Sequence, residues 1–397
     1  MKHTSLFNTH KSVGAHIVEF AGWEMPLYYS GIVDEHLAVR KNAGVFDVSH
    51  MGEIIVSGKD ALKLIQMVQT NDLDVPVKKC KYTHILNDEG KIIDDMIVTR
   101  LEENKFFCVP NAGMVDRIFD IFNDAEKTFS KKSKKSFGVD ATEFQQEFLA
   151  FSEKPKAFPE NGKLYFPYNK KGKNVKIENK TMDYVCLAVQ GPKSMEVLQK
   201  LTKYDMKNIK PFWSDHVDFG KTCLVTGTGY TGERGCEIFT DNDFGKVIWK
   251  KILNAGKEYG LKPCGLGCRN TLRLEKGYLL SGQDFHEDRT SLETNVAWVV
   301  KYNHDFTGKK ALLKQKEEKH DKFVGFITEK GIPRHGCKIK KNNETVGVVT
   351  SGSMSPCLKK GIGLGYVKLE YSNIGEDLDI CIRDKNVKAE IVKLPFV

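Results

Sequence analysis

Asp94 and Asp95, two adjacent carboxylates, interrupt an apolar run that reads Tyr82-Thr-His-Ile-Leu-Asn-Asp-Glu-Gly-Lys-Ile-Ile-Asp-Asp-Met-Ile-Val-Thr99. Strand side chains alternate between faces, so one aspartate lies with Ile93 and Ile97 and the other with Ile92, Met96 and Val98. Both faces are apolar. At least one charged group therefore stands where burial is costly unless a cation or a hydrogen-bond donor meets it. The pattern fits a structural ion pair or an active-site acid, and alternation does not say which aspartate faces the chemistry.

Other residues carry potential chemistry. Glu237 lies in a strand with Phe239. A half-buried carboxylate there either pairs with a cation or accepts two parallel N–H bonds from a planar, guanidine-like edge such as that of a pterin or purine. Each charge-assisted bond of that kind contributes about 1.5–3 kcal/mol. Arg269 and Arg273 are four apart on a helix and are expected to share a face, as a solvated basic surface or as a clamp for an anion or carbonyl. Gly227-Thr-Gly-Tyr-Thr-Gly232 spells G-x-G-x-x-G after a strand, but Glu-Arg-Gly-Cys-Glu-Ile-Phe follows, where a dinucleotide site needs a helix aimed at pyrophosphate. That rejects a dehydrogenase. The glycines are instead expected to shape a hairpin whose backbone closely approaches a flat ligand. Cys264 and Cys268 have no second ligand pair at zinc-like spacing, so no metal is expected. His36 and His50 lack a serine or cysteine nucleophile context, which leaves a catalytic triad unsupported.

The elements that must position these groups follow from periodicity and turn chemistry. Asn87-Asp88-Glu89-Gly90 between two strand-like runs predicts a β-hairpin that carries the aspartates. Residues 20–29 read as an aromatic-rich loop at a core edge or pocket. Gly31 to Asn42 reads as a helix closed by Gly44 at the left-handed C′ position. Asp60 is placed to cap a helix whose Ala61, Leu64, Ile65 and Val68 fall on one face. Phe106 to Asn111 is a strand ending in a polar residue, and 183–189 and 222–226 are strands. Gln190-Gly-Pro starts a helix, and Phe244 to Asn254 and Leu266 to Lys276 are further helices. From about 288 onward, short strands separated by turns predict a small β domain. The whole is α/β or α+β, not a helical bundle.

The chain has 397 residues, enough for two or three domains. No stretch approaches the ~18 uninterrupted apolar residues that span a bilayer, so no membrane role is expected. The net charge of +9 invites a nucleic-acid reading, but residues 127–180 hold thirteen lysines against six acids, which leaves +2 for the rest. That segment reads as a solvated surface insert, and no nucleic-acid partner is expected. Ten scattered cysteines, several inside apolar runs, suit a reducing compartment.

Phe20-Ala-Gly-Trp-Glu-Met-Pro-Leu-Tyr-Tyr, Phe46-Asp-Val-Ser-His-Met-Gly-Glu, Ile92-Ile-Asp-Asp, Gln190-Gly-Pro, Gly229-Tyr-Thr-Gly-Glu, Gly265-Leu-Gly-Cys-Arg and Ser281-Gly-Gln-Asp occur in that order. Together they closely resemble the T-protein (aminomethyltransferase) family of the glycine cleavage system, over nearly the whole chain except roughly 127–180. The resemblance implies an α+β, three-domain cloverleaf around a folate site, with a C-terminal β-barrel or jelly-roll-like domain. The first domain would be discontinuous, 1–53 with 182–287; the second would span 54–181 with the insert, and the third 288–397. The implied reaction moves a one-carbon unit from the aminomethyl group on the lipoyl arm of H-protein to tetrahydrofolate. Its products are 5,10-methylenetetrahydrofolate, ammonia and dihydrolipoyl H-protein. Asp95 matches the family's catalytic acid, Glu237 its pterin clamp and Arg269 a further folate ligand, while Tyr82, Asn111, Tyr230 and Met51 match pocket-lining positions. No metal is implied. Ser281 stands where a bulkier tyrosine is frequent in the family, and the insert is a candidate dock for acidic H-protein. The resemblance further implies the mitochondrial matrix, with the cytoplasm as the alternative.

Two rivals share the fold. Sarcosine and dimethylglycine dehydrogenases, folate-dependent demethylases, carry a flavin domain ahead of the shared region, whereas the motif here starts at Thr4. A non-catalytic, folate-binding assembly factor for iron–sulfur proteins carries Lys-Gly-Cys-Tyr-x-Gly-Gln. This chain has Lys276-Gly-Tyr-Leu-Leu-Ser-Gly-Gln, without that cysteine, and keeps Asp95.

Overall fold

Strand-forming runs pair into four sheets in the computed structural model, which describes residues 1–135 and 174–397. Most of the expected lysine-rich insert, residues 136–173, lies outside the described residues. A six-stranded sheet runs in the order Ser214–Asp218, Thr222–Thr226, Gly235–Asp241, Tyr184–Gln190, Gly44–Asp47, Lys262–Pro263. Its fifth strand comes from far earlier in the chain and lies antiparallel to Tyr184–Gln190, with Val45 opposite Val189. A five-stranded sheet holds Cys80–Leu86, Ile92–Glu102, Lys105–Pro110, Ile54–Ser57 and Lys176–Asn179 in that order. The C-terminal strands, from Lys322–Thr328 to Lys385–Val392, close into a six-stranded barrel, not the double sheet of a jelly roll. Sheets and helices are segregated rather than alternating in a parallel array, so the fold is α+β.

Helices cover the sheets through the stripes their sequences predict. Ala61, Leu64, Ile65 and Val68 of the helix Ala61–Val68 are all buried, against Ile54, Val56 and Phe106 of the five-stranded sheet. Each such side chain contributes about 1.5–3 kcal/mol by leaving water. The helix Asn242–Gly256 buries Ile248, Trp249 and Ile252 against Val185 and Leu187, and its first turn is capped by Asp241, which accepts a bond from the Phe244 N–H at 3.0 Å. The barrel is pressed onto the acid-bearing hairpin. Its Ile362, Leu364 and Tyr366 share a core with Leu86 and Ile92 of the hairpin and Leu274 of the helix Leu266–Glu275.

Three local expectations are corrected. Residues 20–29 are not a loop: His16–Phe20 and Trp23–Tyr28 pair antiparallel, and Ala21 and Gly22, both at positive φ (50° and 83°), make the tight turn between them. Asp60 makes no side-chain cap to its helix and pairs with Lys63 at 3.2 Å. Gly44 does not close the preceding helix in a left-handed conformation. It opens a strand, and its lack of a side chain is needed because a Cβ there would stand 2.5 Å from Val39 Cγ2 and 2.6 Å from Cys264 Sγ. Packing, not φ, requires that glycine.

Candidate active site

A cavity of about 990 Å³ opens where the acid hairpin, the strand Gly235–Asp241 and the helix Leu266–Glu275 converge. That is the upper end of the range for small-molecule sites. All seven residues matched to the family's site positions border it. The hairpin brings Tyr82 and Asp95, and Asn111 follows directly on the strand Lys105–Pro110. Met51 comes from the loop before Ile54–Ser57, Tyr230 from the loop after Thr222–Thr226, Glu237 from the next strand and Arg269 from the helix.

The hairpin resolves the two aspartates. Asp95 borders the cavity with Ile93 and Ile97, its partners by alternation. Asp94, fully buried, turns behind it and accepts bonds from the Asn111 backbone N–H (3.1 Å), Asn111 Nδ2 (2.8 Å) and Ser281 Oγ (2.7 Å). Asp95 accepts from the Tyr82 hydroxyl (2.7 Å) and from the same Asn111 Nδ2 (2.6 Å). One amide nitrogen thus bridges the two carboxylates, so they lie within two hydrogen-bond lengths of each other. Among the described residues no cation pairs with either, which removes the ion-pair reading of the sequence. Burial pushes both acids up from the ordinary carboxylate range, and the charge of Asp95 pushes Asp94 further. The bonds from Tyr82 and Asn111 act against burial at Asp95 and favour its ionised form.

Across the cavity, Glu237 accepts a bond from the Thr228 hydroxyl and is half-buried. Arg269 lies with its guanidinium 4.6 Å from the Tyr230 ring centre and has no hydrogen-bond acceptor among the described residues. Tyr230 in turn donates to the Leu279 carbonyl and stacks on Tyr278. The wall therefore offers a free guanidinium and a carboxylate with an oxygen to spare, about an aromatic platform. His50 completes it, pushed down to about 4 by burial and by the Arg269 charge, and so neutral.

Arg273 does not serve beside Arg269. Only 1% exposed, it donates to Asp284 Oδ2 (2.7 Å), the Tyr278 carbonyl (3.0 Å), Ser351 Oγ (2.8 Å) and Asn270 Oδ1 (2.9 Å). Its charge is spent on a buried ion pair that ties the helix to the barrel through Ser351. The glycine-rich loop packs tightly against its neighbours. A Cβ at Gly227 would stand 2.1 Å from the Lys210 carbonyl and one at Gly229 2.1 Å from Gln190 Oε1, so packing against protein requires both glycines, and Gly229 also borders the cavity. A strand, not a helix, follows them.

Among the described residues, two clusters have metal-ligand chemistry on paper, and in both the donors are already engaged. Glu35, Cys264 and Cys268 bring ligand atoms within 4.8 Å of one another. The Glu35 carboxylate, however, accepts the backbone N–H groups of Tyr29, Ser30 and Gly31 on one oxygen and Gly265 on the other. Glu275 faces His36 Nε2 at 3.0 Å and also receives Arg40, Ser355 Oγ and the Cys357 N–H. Burial alone would raise it; the His36 and Ser355 bonds outweigh burial and hold it down to about 2. Residues that bear on the acids but escaped the sequence reading are Ser281, in its role toward Asp94, and His84, which shares a strand face with Tyr82 two positions away.

The chain matches two domain families, the GCVT N-terminal domain over residues 6–152 and 161–304 and the glycine cleavage T-protein C-terminal barrel domain over 322–397. An aminomethyltransferase of Halothermothrix orenii is 39% identical over the full length of both chains. Another, from Bacillus subtilis, is 39% identical over 100% of this chain and 99% of its own. The crystal structure of glycine cleavage system aminomethyltransferase T from Bartonella henselae superposes with a TM-score of 0.83 at 27% identity, covering 100% of this chain and 98% of the other. These relatives are bacterial and give no support to a mitochondrial placement. No helix among the described residues is long and apolar enough to cross a membrane.

Proposed function

The chain belongs to the glycine cleavage T-protein family and is an aminomethyltransferase, and on that premise we propose that it transfers the methylene carbon from S-aminomethyldihydrolipoyl H-protein to tetrahydrofolate. The products are 5,10-methylenetetrahydrofolate, ammonia and dihydrolipoyl H-protein, and lipoylated H-protein is the partner. Tetrahydrofolate supplies the amines that accept the carbon. Cavity size and donor set suit it. Glu237 offers a carboxylate to the amino-amide edge of a pterin, Arg269 a guanidinium with no acceptor among the described residues, and Tyr230 and Met51 an aromatic and apolar wall. Where the aminomethyl carbon is released, positive charge develops, and Asp95 stabilises it from a position fixed by Tyr82 and Asn111. Fixed groups need no reorganisation as the reaction proceeds, and a site dry enough to raise an acid's pKa strengthens their effect. Electrostatic stabilisation is the chief role of Asp95; proton transfer is secondary.

The observation that carries this reading is a cavity-facing carboxylate that, among the described residues, is met by neutral donors only, opposite an arginine that has no partner acceptor among them and a half-buried glutamate. The test is release of ammonia from aminomethyl-loaded H-protein with and without tetrahydrofolate. Folate-dependent release is expected. Binding of tetrahydrofolate without any release would favour the non-catalytic, folate-binding rival. The same reading divides the chain into 1–53 with 182–287, 54–181, and 288–397, and assigns it to the cytoplasm in a bacterial setting.

A further inference from the structure

We infer that His84 and Ser291 are positioning residues that aim the Tyr82 hydroxyl at Asp95. The inference rests on the reading of Asp95 as the reacting carboxylate and extends the site to two fully buried side chains behind the cavity wall.

The direction of each hydrogen bond follows from how many protons each group owns. Tyr82 has one hydroxyl proton and an ionised Asp95 has none, so in the 2.7 Å contact to Oδ2 Tyr82 donates. Its oxygen then has only lone pairs to offer to His84 Nε2, 3.4 Å away, so Nε2 carries a proton and points it at Tyr82. Burial pushes His84 down to about 3, so its ring is neutral at working pH and holds a single proton. Nδ1 is then an acceptor. Ser291 Oγ lies 2.9 Å from it and has no other hydrogen-bond partner among the described residues, so Ser291 donates. The result is a one-way chain: Ser291 Oγ–H to His84 Nδ1, His84 Nε2–H to Tyr82, Tyr82 O–H to Asp95 Oδ2. The His84 backbone is pinned at both ends to Thr70, by its N–H to Oγ1 (3.1 Å) and by its carbonyl to the Thr70 N–H (3.0 Å), and the Tyr82 and His84 rings meet edge-on at 5.5 Å.

The arrangement matters because a hydroxyl can turn. If Nδ1 took the proton, a bare Nε2 would compete with Asp95 for the Tyr82 proton, and Asp95 would lose a bond that favours its ionised form. Ser291 supports the Nε2–H tautomer by donating to the bare Nδ1. The other titratable groups bearing on Asp95 are Asp94 on its own strand, Tyr230 across the cavity, and Asp284 from the segment after the helix, itself paired with Arg273. None of them contacts the Tyr82 hydroxyl.

The test compares kcat against pH for the wild type, His84→Leu, His84→Gln and Ser291→Ala, with Asp95→Asn alongside. Losing the lock is expected to move the acid limb of kcat up by about one pH unit in Ser291→Ala, whereas His84→Leu, which removes the competing nitrogen altogether, is expected to keep the wild-type limb. Turnover of Ser291→Ala on the acid side then falls roughly tenfold, with little change at alkaline pH or in KM for tetrahydrofolate. His84→Gln, whose amide N–H reaches the position of Nε2, is expected to retain the wild-type limb. A merely structural role would lower activity at every pH without moving the limb. Independently of activity and of any variant, imidazole ¹⁵N shifts in the wild type should show Nε2 protonated and Nδ1 bare; the opposite tautomer would overturn the inference. Superposable limbs in all variants, with Asp95→Asn inactive, would remove the relay and leave the Asp95 reading standing. Near-normal turnover in Asp95→Asn would remove both.

Discussion

Arg269 and Arg273 are one helical turn apart, yet their substitutions are expected to fail in opposite ways. Arg273→Leu removes four hydrogen bonds and leaves Asp284, 1% exposed, with only the Leu280 N–H and the Thr350 and Ser351 hydroxyls as partners among the described residues. Breaking a buried pair by deleting one partner costs about 3–5 kcal/mol, because the remaining charge stays buried. For a chain of this size the main thermal transition should drop by roughly 5–15 °C. Among the described residues Arg269→Leu loses only a ring contact in the free protein, about 0.5–1 kcal/mol, and should melt within roughly 3 °C of wild type. A charged ligand to folate contributes about 1.5–3 kcal/mol, so its tetrahydrofolate affinity should fall by about 10- to 150-fold. Differential scanning calorimetry and titration calorimetry read the two effects separately. An Arg273→Leu protein that melts with the wild type, or an Arg269→Leu protein that loses stability but not affinity, would refute this division of labour.

Further expectations concern the remaining buried acids. Glu53 is fully buried with both carboxylate oxygens unpartnered among the described residues, and burial followed by the charge of Asp47 pushes it well above the ordinary range. Its folded form holds a proton that the unfolded chain releases above about pH 4.5, so it erodes stability as pH rises. The stability gained by Glu53→Gln over wild type should therefore grow by up to ~1.4 kcal/mol per pH unit above that point, read from urea melts at pH 5, 6 and 7; a pH-independent difference would contradict the sign. Tyr82→Phe removes the hydroxyl that donates to Asp95, and its acid limb of kcat should rise by about one to two pH units while folate still binds. Asp94→Asn places an amide against the Asn111 donors but leaves the cavity face unchanged, so its turnover loss should be at least tenfold smaller than that of Asp95→Asn, measured in the same assay.

Much of the architecture was legible because local chemistry decided it. The stripe Ala61, Leu64, Ile65, Val68 made a helix and buried that face, and Asn87 with Gly90 turned the acid hairpin. Alternation correctly grouped Ile93 and Ile97 with Asp95 but had no means of telling which face met the cavity. What escaped depends on contacts distant in sequence. Gly44 is glycine because Val39 and Cys264 crowd it, and Arg273 is buried because Asp284 and the barrel's Ser351 come to meet it. The donors to Asp94 arrive from Asn111 and Ser281, the latter 187 positions away, so no spacing rule reveals them. His84 was within reach: two positions from Tyr82 on one strand means one face, and a histidine on a buried face beside an acid needs a hydrogen-bond partner.

The central claim is that Asp95, held by Tyr82 and Asn111, stabilises the charge that develops as the aminomethyl carbon is released. Ammonia release from aminomethyl-loaded H-protein by Asp95→Asn, with tetrahydrofolate binding measured on the same preparation, tests it most directly. The prediction is retained folate binding with turnover reduced by about 10²–10³ or more, the scale of one lost preorganised electrostatic group. Near-normal turnover with folate bound would contradict it.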